Sequence, residues 1–272
     1  MARGGDHGQL LQIVQQSGVK VRILGCGTST GVPKIGNEWG QCDPDEPRNY
    51  RLRTSILVES AGQRMLVDCG PDLRQQLLAA EVSRLDGLIV THAHGDHCHG
   101  IDELRPVSQA IGGPVPLYTR EEVLGELKLR FAYAFEQSDF YRAIVEARPL
   151  GAELRFGSAT IRFVDQPHGG PTSLGLRFDE SDFSVAYAID FSDLTTEMAA
   201  LYEGVDVWIA DCLTRRPHPT HAHLDAVLNW ARDMRVGQLY LVHMGNGLDY
   251  RTLMAELPDW AASAYDGLEI IA

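Results

Sequence analysis

At 272 residues the chain is long enough for one large α/β domain or two modest ones, with no need of a disulfide framework to stabilise a small core. Hydrophobic residues make up 44% and charged residues 22%, ordinary globular usage that excludes a disordered, collagen-like or coiled-coil chain. The formal charge of −13 disfavours a protein that coats nucleic acid or an anionic membrane, while leaving room for a local basic site.

Residues 1–18 are polar and Gly/Gln-rich and read as a flexible N-terminal arm, with residues 19–272 as a single domain. The arm has no signal-peptide pattern, because its short apolar runs, Leu10-Leu11 and Ile13-Val14, are separated by Gln12. After a strand over 19–24, the apolar runs at 54–68 flank Gly62 and predict a β-hairpin. Pro71 opens a helix to Ala80, carried by Leu73, Leu77 and Leu78, and Leu88-Ile89-Val90 is the next strand. A helix is expected over 97–111 and a strand over 115–118. The helical stretch 120–142 carries Phe131, Tyr133, Phe135, Phe140 and Tyr141 and suggests a lid. Strands follow near 144–148, 160–165, 173–178 and 184–189. Helices near 195–202, 223–235 and 250–256 then alternate with strands at 205–210, 238–242 and 266–271.

Five cysteines, Cys26, Cys42, Cys69, Cys98 and Cys212, form an odd set without CxxC spacing, which fits a reducing cytoplasm better than a secreted disulfide framework. No run of about 18 apolar residues is present, so no membrane-spanning helix is expected.

The strongest chemical signal is Thr91-His92-Ala93-His94-Gly95-Asp96-His97-Cys98-His99, directly after the strand 88–90. In extended chain His92 and His94 project from one face and can grip one metal ion. Gly95 permits a turn, after which Asp96 and His97 can serve a second ion.

This stretch is an HxHxDH signature, and the chain resembles the metallo-β-lactamase fold superfamily over nearly its whole length. The resemblance implies an α/β (α+β) architecture, a four-layer αβ/βα sandwich, and a metal-dependent hydrolase. It also implies later ligands at three strand ends: His168, Asp190 and His243. One site would then comprise His92, His94, His168 and Asp190, and the other Asp96, His97, His243 and Asp190, with Asp190 bridging two divalent ions. Nitrogen-rich sites without cysteine suit zinc, and the carboxylates also suit manganese, iron or nickel. Asp68 resembles an early aspartate that hydrogen-bonds around the centre; its competing reading is a helix N-cap ahead of Pro71.

Within the superfamily, Gly25 to Pro33, Pro47 to Ser55 and the segment His221-Ala222-His223-Leu224-Asp225 resemble the phosphoribosyl 1,2-cyclic phosphate phosphodiesterases. That resemblance implies an acid/base histidine beside the centre, matched best by His223 with His221 in reserve. It also implies a small phosphorylated substrate, a ribose 1,2-cyclic phosphate or a cyclic nucleotide. Arg51 and Arg53 are the basic residues that could meet its phosphate. The cysteines and extra histidine of the family's separate structural zinc site have no match here beyond Cys42. Lactone or thioester hydrolysis on the same metals is the alternative enzyme reading, and a metal-binding protein without turnover is the non-enzymatic one. A cytoplasmic protein, compatible with a homodimer and acting on neither membrane nor polynucleotide, completes the expectation.

Overall fold

The computed structural model describes residues 18–271, so the expected N-terminal arm, Gly18 apart, lies outside the described residues. The chain begins with β1 (Lys20–Gly25), β2 (Ser55–Ser60), β3 (Gln63–Val67), β4 (Gly87–Ile89), β5 (Val115–Tyr118) and β6 (Val145–Arg148). It continues with β7 (Glu153–Phe156), β8 (Ala159–Pro167), β9 (Thr172–Glu180) and β10 (Phe183–Ala188). The last strands are β11 (Val207–Asp211), β12 (Gln238–Val242), β13 (Ala261–Ser263) and β14 (Glu269–Ile271). Two seven-stranded sheets result, ordered β14-β1-β2-β3-β4-β5-β6 and β13-β12-β11-β10-β9-β8-β7.

Period-two alternation explains why both faces of the first sheet are covered. In β2, Ile56 and Val58 join the core between the sheets, while Leu57 joins a second core on the far face; Met65 and Val67 divide from Leu66 in the same way. The far face is capped by α1 (Leu73–Ala79), α2 (Gly95–Cys98), α3 (Arg105–Ile111), α4 (Glu121–Arg130) and α5 (Ala132–Phe135), which contribute Leu73, Leu77, Cys98, Val107, Leu127 and Ala134. Met198, Val227 and Leu253 extend the first core onto α6 (Thr196–Tyr202), α7 (Leu224–Asp233) and α8 (Tyr250–Glu256), which cap the second sheet. This is the expected four-layer αβ/βα arrangement. No helix among the described residues is long and apolar enough to cross a membrane.

The hairpin between β2 and β3 turns on Ala61 and Gly62, both at positive φ, as a two-residue loop between right-twisted strands requires. The expected helix over 97–111 is instead broken into α2, a 3-10 turn at Ile101–Leu104, and α3. The break falls at Gly100, where a Cβ would lie 2.1 Å from the carbonyl oxygen of Gly70. The stretch 120–142 is helical only as far as Phe135. Two short strands, β7 and β13, escaped the sequence reading because four and three residues carry little periodicity.

Sheet direction positions the site. The pairs β3–β4, β10–β11 and β11–β12 are parallel, so the carboxyl ends of β3, β4, β10, β11 and β12 deliver Asp68, His92, Asp190, Asp211 and His243 to one region.

Asp266, in the loop before β14, ties the ends of β1 and β2 together by accepting from the backbone N–H of Cys26 (3.0 Å) and Leu52 (2.7 Å). Burial raises its carboxyl to about 7 despite those two donors. The folded protein therefore holds this proton to higher pH than the unfolded chain, and the stability it contributes is complete below about pH 4 and lost as pH rises through 7. Asp266→Asn is expected to flatten the fall in thermal stability between pH 5 and 8 by on the order of 1–3 kcal/mol. An unchanged slope in melting scans across that range would refute the assignment.

Candidate metal centre

Backbone strain marks the centre. Asp68, Asp190 and His243 each sit just past a strand end with φ of 63°, 53° and 56°, a left-handed conformation that side-chain-bearing residues seldom adopt. It turns the side chain out of the sheet toward the space above the strand ends.

Three groups of potential ligand atoms gather there, with the members of each within 4.8 Å of one another: the two expected sets, His92, His94, His168 and Asp190, then Asp96, His97, Asp190 and His243, and a third of Asp190, Asp211, His221 and His243. Asp190 Oδ2 lies 3.1 Å from His92 Nε2 and 3.3 Å from His168 Nε2, and its Oδ1 lies 3.1 Å from His243 Nε2. His94 Nδ1 approaches His92 Nε2 at 2.9 Å, and Asp96 Oδ2 approaches His97 Nε2 at 3.1 Å. The seven residues singled out in the sequence therefore converge, with one carboxylate between the two sets.

The ring nitrogens facing away from the centre are mostly held. His97 Nδ1 meets Asp68 Oδ2 at 2.8 Å, and Asp68 itself accepts from the Thr91 N–H and hydroxyl. His92 Nδ1 meets the Thr91 hydroxyl at 3.1 Å, and His168 Nδ1 donates to the carbonyl of Thr220 at 2.8 Å. Such partners set the tautomer and ring orientation of a ligating imidazole. Asp68 thus bears on the centre, and the residue immediately before α1 is Asp72.

The donor set fits divalent cations. His97 Nε2 and Asp190 Oδ1 are buried, and although Asp96 and His243 lie 3.1 Å from them, neither atom makes a properly directed hydrogen bond, which is costly unless a cation meets them. Burial holds His168 down to about 4, keeping its lone pair free. Burial would lower His243 too, but Asp190, with Asp96 and Asp211, raises it to about 9. Burial would raise Asp190, yet His243 and His97 hold it well below the usual carboxylate range. Without metal, protons on imidazole thus balance the buried carboxylates; cations of higher charge can take that place.

Arg51, Arg53 and His223 stand outside the lining of the cleft over the centre. Arg51 is buried, its guanidinium donating to the carbonyls of Leu248 (2.7 Å) and Gly245 (3.3 Å) and to Asn49 Oδ1 (3.3 Å), while Arg53 pairs with Asp72 at 2.9 Å and donates to the carbonyl of Ser29. Both arginines fasten loops, and neither is among the residues lining the cleft over the centre. Likewise His223 takes the N-cap position of α7, its backbone bridged to Thr214, and it is His221 that reaches the centre. His221 stacks on His243 with ring centroids 5.1 Å apart, and its Nδ1 lies 2.9 Å from Asp211 Oδ2.

Asp211 was missed. It is fully buried, and its other oxygen stands 3.6 Å from His243 Nδ1, near enough for charge attraction though not for a hydrogen bond. The signal was available: Ile209-Ala210-Asp211 ends an apolar strand as Ala188-Ile189-Asp190 does.

A cleft of about 340 Å³ opens over the cluster, rimmed beyond the ligands by Ser29, Gly169, Pro171, Thr220 and His221, with no lysine or arginine among its described lining residues. Cys42 lies away from it, its thiol directed at the Leu248 carbonyl beside Arg51. Cys42→Ser is expected to leave metal content and turnover nearly unchanged; loss of a metal ion in that variant, read by elemental analysis, would show that Cys42 ligates.

The family model for the beta-lactamase superfamily domain matches residues 63–244, a span that contains every residue from Asp68 to His243. A solved structure of a diphosphatase from the PhnP family is 32% identical with a TM-score of 0.84, over 93% of this chain and 96% of that one. A curated octanoyltransferase from Porphyromonas gingivalis is 29% identical over 256 residues, 92% of this chain and 51% of that protein, so the chain spans about half its length. The short form of human tRNase Z shares the fold at 17% identity and a TM-score of 0.67, over 92% and 98% of the two chains.

Proposed function

The chain belongs to the beta-lactamase superfamily, as a metal-dependent hydrolase, and from that premise we propose that it cleaves a phosphodiester bond in a small cyclic substrate such as a ribose 1,2-cyclic phosphate or a cyclic nucleotide. The observation that carries the reading is the pairing of two ligand sets across Asp190 with the His221–Asp211 couple beside them.

His92, His94, His168 and Asp190 would hold one divalent ion, and Asp96, His97, His243 and Asp190 a second; zinc and manganese both suit these donors. When bound, such ions draw charge from phosphoryl oxygens and make water a competent nucleophile near neutral pH. Asp190 stands between the two halves, with Oδ2 toward His92, His168 and His97 and Oδ1 toward His243. Asp211 accepts the Nδ1 proton of His221, which leaves Nε2 to carry a proton to the departing alkoxide and stabilises the imidazolium before transfer. Thr220 and Gly169 wall the cleft, and a Cβ on Gly169 would strike the Thr220 methyl at 2.2 Å, so these two loops are held against each other.

The cleft of about 340 Å³, with no lysine or arginine among its described lining residues, favours a small substrate over a polynucleotide. The five buried, unpaired cysteines agree with a cytoplasmic site of action. A diphosphate linkage is the second reading, favoured by the PhnP-family diphosphatase, whose whole length this chain nearly covers.

The test is a hydrolysis panel with metal-replete protein: cyclic ribose phosphate, cyclic nucleotides, diphosphate diesters, a lactone and an octanoyl thioester. Cyclic phosphodiesters are expected to lead by roughly 10²-fold or more. A leading diphosphate would move the assignment to the second reading, and a leading thioester would overturn both.

A further inference from the structure

His94 differs from its fellow ligands. His92, His97 and His168 each have a hydrogen-bond partner at the outer ring nitrogen, and buried His243 Nδ1 stands 3.6 Å from Asp211 without a hydrogen bond, but His94 Nε2 faces no partner group among the described residues, and His94 is the exposed member of its set. Its ring must be held through its backbone. The carbonyls on either side of its N–Cα bond are both engaged from behind the centre. The thiol of Cys98 donates to the carbonyl of His94 at 3.2 Å and toward that of Ala93 at 3.6 Å, and an Arg130 guanidinium nitrogen donates to the carbonyl of Ala93.

Arg130 ends α4, and its other terminal nitrogen pairs with Glu126 one turn back at 2.6 Å. The next residues continue the clasp. Phe131 packs edge-on against His99 with centroids 5.7 Å apart, and Tyr133 donates to Asp102 at 2.7 Å. The stretch read from sequence as a lid therefore grips the outside of the segment that bears four ligands.

We propose that Arg130 is a positioning residue for the metal centre: it fixes the Ala93 carbonyl and so supplies to His94 the orientation that the other imidazoles receive at their rings. This rests on the reading of the cluster as a two-ion centre. A guanidinium suits the role because its fork lets Glu126 set its direction while another N–H bonds the carbonyl. Losing it frees the His92–His94 segment by fractions of an ångström, enough to degrade a first ligand set without unfolding the chain.

Stepwise Co²⁺ titration of metal-free protein, followed by visible absorption, tests this. Arg130→Ala is expected to weaken one binding step by about 10-fold and leave the other within about twofold, with a melting temperature close to that of Leu129→Ala, an exposed neighbour. Arg130→Lys, which keeps one donor in reach, should recover most of the loss. Unchanged affinities in Arg130→Ala overturn the proposal, as does an equal weakening of both steps that lysine does not rescue. No Co²⁺ binding by the unmodified protein overturns the metal-centre reading as well.

Discussion

Asp190→Ala is expected to reduce bound metal from about two ions per chain to less than one and to lower turnover by at least about 10³-fold. The size of the effect follows from geometry. One oxygen of this carboxylate faces His92, His168 and, at 3.4 Å, His97, and the other faces His243, so its loss removes a ligand from both sets at once. His92→Ala, which removes a ligand from one set only, should lose about one ion. Elemental analysis of the two variants beside the unmodified protein decides it: equal losses would mean that Asp190 does not bridge.

His221→Ala is the second large effect, and it should depend on the leaving group. Ring opening of a cyclic phosphodiester expels a sugar oxygen of high pKa, which needs a proton, and loss of a positioned donor costs roughly 10²–10⁴-fold. Nitrophenolate leaves unaided, so bis-nitrophenyl phosphate should be largely spared. Asp211→Asn should reproduce part of the loss by leaving the imidazolium without its carboxylate, whereas His223→Ala should act on both substrates nearly as the unmodified protein does. Equal losses on both substrates in His221→Ala would point to substrate placement rather than proton transfer.

The cluster proposed to hold metal was legible in the sequence because metal chemistry restricts residue types and because its members follow readable strands. His92 and His94 need only extended chain after β4 to share a face. His168, Asp190 and His243 carry no such local spacing; resemblance to a family placed them, and the fold brings them within reach through parallel strand ends. The choice between His221 and His223 was not legible. Both stand in the same segment, and what separates them is Asp211, ten residues before His221 at the end of β11. Arg51 was ambiguous for a related reason: a guanidinium suited to phosphate is equally suited to backbone carbonyls, and the path of residues 245–248 brings two of those to it. Helix breaks were hidden in the same way, since Gly100 is demanded by the close approach of Gly70 from thirty residues earlier.

Turnover of a cyclic ribose phosphate measured against equivalents of divalent metal restored to the metal-free chain bears most directly on the dinuclear phosphodiesterase. Activity should be absent without metal and rise to a plateau at two equivalents per chain, with Asp190→Ala reaching no plateau over the same range. Full activity at one equivalent, or turnover that persists in the metal-free protein, would contradict it.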